Sequence, residues 1–279
     1  MELRVISWNL FHGRDHTPNP SLHTWRSRLL RITERDDRHA QVNRDLYAEF
    51  AELLGEAEWD VALLQECPPR WAEALARRCR AEPHLTLTSR NLPPPLNRAQ
   101  ALAATFSPDL VASWEGGSNL TLVRGRVNDL VIGERCERAL TRRPERRRMA
   151  LTRLTTGPCL ANLHASTDRR SAAAETAWAA SVAGDFAGDA PLIFGGDLNL
   201  RPDTDPALFS ALEHAHGLRG PTSAGAIDHL LHRGLAALEA PTAWASERRE
   251  AQDPTAGEKD AALAIRLSDH APVEALFEF

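Results

Sequence analysis

Acidic, amide and histidine residues stand at the ends of apolar segments along the whole chain. Asn9 follows RVISW, Glu66 follows VALLQ, His164 follows CLANL, and Asp197 and Asn199 follow PLIFGG. Asp228 opens another segment, and Asp269-His270 immediately precede the last one. If these segments are strands, their ends and their antiparallel neighbours' starts can meet on one sheet edge, where α/β folds place ligands. Glu66, Asp197, Asp228 and Asp269 brought together would repel, and burial makes each charge costlier. A divalent cation resolves that conflict, and an oxygen-rich set without cysteine favours Mg²⁺ or Mn²⁺ over zinc. With His164 and His270 alongside, the set suits metal-assisted attack of water on a phosphoryl centre.

Each residue alone has a plainer reading. Glu66 could be a surface carboxylate, Asn9 a turn former, His164 a satisfied histidine, and Asp228 a cap after Gly225. Gly196-Asp197-Leu198-Asn199 says more, because a tight double-glycine turn after a buried strand delivers two polar groups together. Their i, i+2 spacing points both side chains to one face if the strand continues. Order across the chain carries the argument.

The positioning elements alternate strand and helix. Leu3 to Trp8, Trp59 to Gln65, Pro191 to Phe194, Ile227 to Leu231 and Pro272 to Phe277 read as strands. Met149 to Leu154 and Leu160 to Leu163 read as a hairpin around Gly157-Pro158. Val42, Leu46, Phe50, Leu53 and Leu54 form one helical stripe, and Ala174, Trp178, Val182 and Phe186 form a second. Leu208, Ala211, Leu212 and Ala215 mark a third helix, and Pro68-Pro69 opens another. Residues 15–38 read as an irregular or helical insert. The stretch 81–150 is the least readable: Pro93-Pro94-Pro95 stops regular structure, and Asn119 to Val123 and Val127 to Ile132 read as two strands across Gly125. Arg142, Arg143, Arg146, Arg147 and Arg148 around Pro144 read as a solvated turn rather than a phosphate-gripping loop. A polar, mobile loop is expected near 246–260. No repeat or Gly/Ser linker divides the chain, so residues 1–279 are expected to form one α/β domain.

The 279 residues suffice to bury a core without a disulfide or structural metal. With 33 basic against 38 acidic residues, the net charge is −5, which disfavours tight non-specific duplex binding. No apolar run is long enough to span a membrane. Cys67, Cys79, Cys136 and Cys159 form no C-x-x-C pair, and the N-terminus lacks a signal-peptide layout. A cytoplasmic monomer is the expectation. No P-loop or dinucleotide fingerprint appears, and Gly116-Gly117-Ser118-Asn119-Leu120 fails G-x-S-x-G at its last position.

W-N-L at 8–10, L-Q-E at 64–66, N-L-H at 162–164, G-G-D-L-N at 195–199, I-D-H at 227–229 and S-D-H at 268–270 occur in the order of the endonuclease/exonuclease/phosphatase superfamily, which the sequence resembles from residue 5 to 274. The resemblance implies a four-layered α/β sandwich, with two mixed sheets face to face and helices outside. It implies a metal site of Glu66, Asn9 and Asp269, holding Mg²⁺ or Mn²⁺. Asp197 would position and deprotonate water, Asn199 would donate to phosphoryl oxygens, and His270 would contact phosphate with its tautomer fixed by Asp228. Neighbouring carboxylates should keep His270 protonated more of the time. His164 resembles the branch with histidine here, as in deoxyribonucleases and sphingomyelinases, rather than abasic-site nucleases, which carry tyrosine. Asn119 resembles the family's mid-chain Asn, a substrate contact.

The implied function is a metal-dependent phosphodiesterase acting on nucleic acid or a smaller phosphodiester, with DNA ahead on family base rates. A phosphomonoesterase or phospholipid-headgroup hydrolase of the same superfamily is the alternative. Two further readings are a catalytically silent binding protein and a zinc hydrolase using His214, His216, His229 and His232.

Overall fold

A computed structural model describes residues 1–89, 91–125, 130–142, 146–253 and 263–279. Its first strand, β1 (Glu2–Asn9), is an apolar run buried on both faces except at its start, as a central strand between two layers must be. β2 (Val61–Gln65) lies parallel to it, and β3 (Glu82–Leu87) and β4 (Ser118–Val123) extend the sheet antiparallel. β5 (Ile132–Thr141), β6 (Arg147–Leu154), β7 (Cys159–His164), β8 (Leu192–Asp197) and β9 (Asp228–Arg233) build a second sheet, in which only β7 and β8 run parallel. β10 (Ala236–Ala243) and β11 (Val273–Glu278) return to the first sheet. Its order is β10-β11-β1-β2-β4-β3, and the second sheet's is β9-β8-β7-β6-β5.

Three apolar clusters separate four layers. Leu3, Val5, Val61 and Leu63 meet Leu160, Ile193 and Leu230 between the sheets. Helices α1 (Trp25–Leu30), α2 (Tyr47–Glu56) and α3 (Ala72–Cys79) follow β1 and β2. Phe50, Leu54 and Leu75 of the latter two pack on Trp8 and Leu64 of the first sheet. α4 (Leu96–Phe106) and α5 (Pro108–Val111) form a surface pair, and α6 (Arg169–Ala187) and α7 (Pro206–His216) cover the second sheet. Burying each Leu- or Phe-sized side chain contributes about 1.5–3 kcal/mol. The expected four-layered sandwich of two mixed sheets is the fold.

Local expectations needed correction. The first helical stripe begins at Tyr47, so Val42 and Leu46 are buried ahead of the helix. The buried face of α6 is Ala172, Ala179, Ala180, Ala183 and Ala187 together with Glu175 and Thr176, whereas Trp178 is 56% exposed. Small residues let the helix lie close on the sheet, and the larger Val182 and Phe186 sit at its margin. As expected, no helix or strand covers Pro93-Pro94-Pro95, and α4 starts at Leu96 directly after them. Of the expected strand Val127 to Ile132, residues 127–129 lie outside the described residues, and the described strand runs onward from Ile132. Residues 246–252 are a short 3₁₀ turn and a strand rather than a mobile loop, and 254–260 lie outside the described residues.

Gly195-Gly196 lie inside β8, not in a turn. A Cβ on Gly196 would stand 1.9 Å from the Leu163 carbonyl oxygen, at a φ of +133°. Backbone cannot yield there as a side chain can, so Gly196→Ala is expected to destabilise the protein by about 3 kcal/mol or more. Urea denaturation would show it as a lower midpoint with an unchanged slope, and an unchanged midpoint would refute the packing argument.

Candidate active site

Strand register assembles the site. Asp197, the last residue of β8, pairs with His164 on one side and with Asp228 on the other. The second sheet therefore sets His164, Asp197 and Asp228 side by side. In the first sheet Asn9 pairs with Gln65, one residue before Glu66. Ser268 Oγ donates to the Asn9 carbonyl at 2.6 Å, which brings Asp269-His270 to the same edge. Asn9 Nδ2 then donates to Asp197 Oδ2 at 3.0 Å across the two sheets.

The side chains form a continuous constellation. His164 Nδ1 lies 3.7 Å from Glu66 Oε1, and its Nε2 lies 3.4 Å from Asp197 Oδ2. His270 Nε2 is 3.8 Å from Asp197 and 3.7 Å from Asp269, while its Nδ1 is 2.7 Å from Asp228 Oδ2. Left-handed backbone at His12, Glu66, Asn199 and Ser268, with φ from 48° to 63°, aims several of these groups. Such a conformation costs ~1 kcal/mol or more in a residue with a side chain and concentrates at functional sites. Asn199 arrives this way: β8 stops at Asp197, so strand alternation does not place it. Its backbone N–H donates to Asp197 Oδ1 at 3.0 Å and its Nδ2 to the Ala165 carbonyl at 3.1 Å.

Burial, then Asp228, lifts the Asp197 carboxyl to about 7. For His270 burial opposes the charge, but Asp228, Asp197 and Asp269 outweigh it and raise the imidazole to about 10. His164 goes the other way, to about 3, because it is buried and faces the Arg147 guanidinium. Arg147 Nη1 lies 3.0 Å from His164 Nδ1. An arginine can only donate, so Nδ1 is the acceptor and the ring proton sits on Nε2, facing Asp197. Burial works to raise the Glu66 carboxyl, but positive charge nearby, His12 first, overrides it, and the net shift is downward.

His12 and Arg147 are absent from the sequence expectation. His12 Nε2 lies 3.3 Å from Glu66 Oε2. Arg147 was grouped with a solvated turn, yet it is only 9% exposed and lines the pocket beside Glu66 and His164. Its neighbours behave differently: Arg142 is exposed, Arg148 pairs with Glu137 at 2.5 Å, and Arg143 and Pro144 lie outside the described residues. Alternation on β6 gives the only sequence signal, since Arg147 shares a face with Met149 and Leu151. A buried Arg249, from the stretch expected to be mobile, donates to the carbonyls of Leu267, Ser268 and His270 and so holds the Asp269-His270 turn.

Asn119 bonds to backbone carbonyls between the sheets rather than to the site's polar side chains. It is buried on β4, where Nδ2 donates to the Arg148 carbonyl at 2.9 Å and the Asn162 carbonyl at 3.3 Å. Gln65 and Asn162 continue this amide network between the sheets at 2.8 Å. His214 and His216 sit in the exposed last turn of α7, and His229 is buried with its ring nitrogens against Thr222 and Leu200, so a four-histidine zinc centre does not form.

The donor set fits a hard cation. The Glu66 side chain is only 20% exposed and meets His12 at 3.3 Å through Oε2 and His164 at 3.7 Å through Oε1, so a carboxylate with lone pairs to spare stands in a largely buried place. Asn9 Oδ1 accepts one bond, from Phe11 N, and retains a second lone pair. Asp269 is the most open of the three, at 31%. Asp197, Asp228 and His270 also bring ligand atoms within 4.8 Å of one another.

The sequence matches the Endonuclease/Exonuclease/phosphatase family over residues 6–270. The chain belongs to that family. Among solved structures it resembles an endonuclease/exonuclease/phosphatase family protein from Bacteroides thetaiotaomicron at 14% identity and a TM-score of 0.62, covering 99% of this chain and 97% of that one. A mannosyl-6-phosphatase from the same species gives 14% and 0.62, covering 99% and 100%. Truncated TDP2 from Caenorhabditis elegans gives 16% and 0.55, covering 100% and 98%. No curated protein sequence matches. Family membership makes the chain a phosphoester hydrolase by kind. Among the described residues no helix is long and apolar enough to cross a membrane.

Proposed function

We propose that residues 1–279 act as one catalytic domain, a divalent-metal-dependent phosphodiesterase that cleaves a P–O bond with activated water. The observation that carries it is the pair Asp197 and His270, 3.8 Å apart, whose environments set one near 7 as a base and the other near 10 as a cation. Such divergence assigns acid and base roles. Asp197 accepts the water's proton. Its orientation is fixed by Asn9 and by the Asn199 N–H. His270, its Nδ1 held by Asp228, offers Nε2–H to a phosphoryl oxygen. Arg147 and the second amide hydrogen of Asn199 add donors where negative charge builds. Glu66, Asn9 and Asp269 would hold Mg²⁺ or Mn²⁺, which when bound would lower the pKa of water and offset developing charge. Asn119 supports this set from beneath and could meet substrate only if the amide network opens.

Nucleic acid or a smaller diester would be the substrate. A monomer in the cytoplasm suits four free thiols. The mannosyl-6-phosphatase among the similar structures supports a second reading, a phosphomonoesterase. A panel of plasmid, single-stranded DNA, RNA, phosphoinositides, a sugar phosphate and bis-p-nitrophenyl phosphate separates them. Chelation is expected to abolish turnover and added Mg²⁺ or Mn²⁺ to restore it. Turnover indifferent to chelator would remove the metal from the proposal.

A further inference from the structure

The pocket on the Glu66 side of the site, lined by His12, Glu66, Arg147 and His164 among others, has a volume of about 160 Å³. Sites that bury most of a small-molecule ligand span about 300–1,000 Å³. Much of a diester therefore lies outside it. A second cavity of about 320 Å³ adjoins, lined in part by Phe11, Arg14, His16, His23, Arg28 and Asp109. The turn at Phe11–Gly13 is the wall between the two. His12 faces Glu66 on one side, and Phe11 lines the cavity on the other, both with left-handed backbone. The next residues are bound to the catalytic loop: His16 N donates to the Arg266 carbonyl at 2.8 Å, and Ser268 N donates to the Arg14 carbonyl at 3.0 Å.

Arg14 dominates the chemistry of this cavity. Its guanidinium lies 3.7 Å over the Phe11 ring, and Nε donates to the Phe11 carbonyl at 3.2 Å. Its terminal nitrogens pair with no carboxylate among the described residues. Arg28 also makes no ion pair there. Of the cavity's carboxylates, Asp15 already accepts from Gln41 Nε2 at 3.0 Å and Val42 N at 2.8 Å. That leaves Asp109, which interacts with Arg14, His23 and Arg28 only at longer range. A rigid two-pronged donor beside a second arginine matches a phosphate dianion. A monoanionic carboxylate would gain less while still facing Asp109.

We propose that this cavity is a second anion subsite, in which Arg14 and Arg28 hold a phosphate of the substrate other than the one being hydrolysed. The proposal rests on the phosphodiesterase reading and deepens it. Two chromogenic esters test it: the p-nitrophenyl ester of thymidine 5′-monophosphate, and the same ester carrying a 3′-phosphate. The wild type is expected to prefer the second in kcat/KM. Arg14→Gln should cut that preference about tenfold, the effect of losing one charge-assisted contact, while Asp109→Asn should increase it. A purely structural role for Arg14 would slow both esters alike and leave the preference intact, overturning the subsite. Calorimetry on the full chain repeats the comparison without turnover, using thymidine 3′,5′-bisphosphate against thymidine 5′-monophosphate. Tighter binding of the bisphosphate by wild type but not by Arg14→Gln supports the subsite, and equal affinities in the wild type overturn it. Failure to release p-nitrophenol from either ester would overturn the diesterase reading, with calorimetry still deciding the subsite.

Discussion

Asp197→Asn is expected to lower kcat by about 10²–10⁴-fold, the usual contribution of a positioned general base. The carboxylate is almost wholly buried, and both its oxygens are tied, Oδ2 to Asn9 and Oδ1 to the Asn199 N–H. An amide at this position keeps the shape but cannot take a proton. In the wild type the rate is expected to rise with pH as Asp197 ionises, near 7 for the metal-free environment. A bound cation adds positive charge and moves that limb lower. The variant should lack the limb altogether. Stability follows the same titration. A carboxyl raised from 3.8 to about 7 in the folded state contributes stability that is complete below 3.8 and lost as pH rises through 7. Metal-free wild type should therefore lose more of its melting temperature across that window than Asp197→Asn does. Turnover of the variant within about tenfold of wild type, with near-ultraviolet circular dichroism unchanged, would exclude Asp197 as the base.

How much of this was legible in the sequence depends on burial. Strands that lie inside a sheet announced themselves, because RVISW, VALLQ and PLIFGG are apolar on both faces. In the two large sheets the strands that went unread, β3, β10 and all of β5 beyond Ile132, are sheet edges. β5 is largely exposed, and β10 carries Pro241, tolerated where the pairing with β11 shifts register between Glu239 and Thr242. These poorly buried edges show neither a continuous apolar run nor a clean alternation, so a reading based on hydrophobic pattern passes over them, whereas β9, an edge buried along most of its length, was read. The site was legible for the same reason as the inner strands. Polar residues at the ends of apolar segments stand out, and register then carries them to one edge. His12, Arg147 and Arg249 were not, since each enters from an irregular segment or a charged run whose side chains differ in fate. Arg148 points out to Glu137 while Arg147 turns in to His164, a one-residue difference that only a fixed strand register can assign.

His270→Gln carries the second large expected effect. Three carboxylates surround the imidazole, with Asp228 at 2.7 Å, and they outweigh its burial, so it is a cation throughout the neutral range. Its Nε2–H then stands where a phosphoryl oxygen gathers charge, and removing one such donor costs about 10²–10³-fold in kcat. The effect should fall on kcat more than on KM, because the contact strengthens as charge develops. Glutamine retains a hydrogen-bonding side chain toward Asp228 but leaves three carboxylates without their cation. The imidazole is raised from 6.5 to about 10 on folding. Its stabilisation is therefore complete below 6.5 and lost as pH rises through 10. The melting-temperature gap between wild type and variant should be widest near pH 6.5 and close by about pH 10.5. A gap independent of pH would mean that packing, not charge, is what His270 supplies, and the phosphoryl-contact role would fall with it.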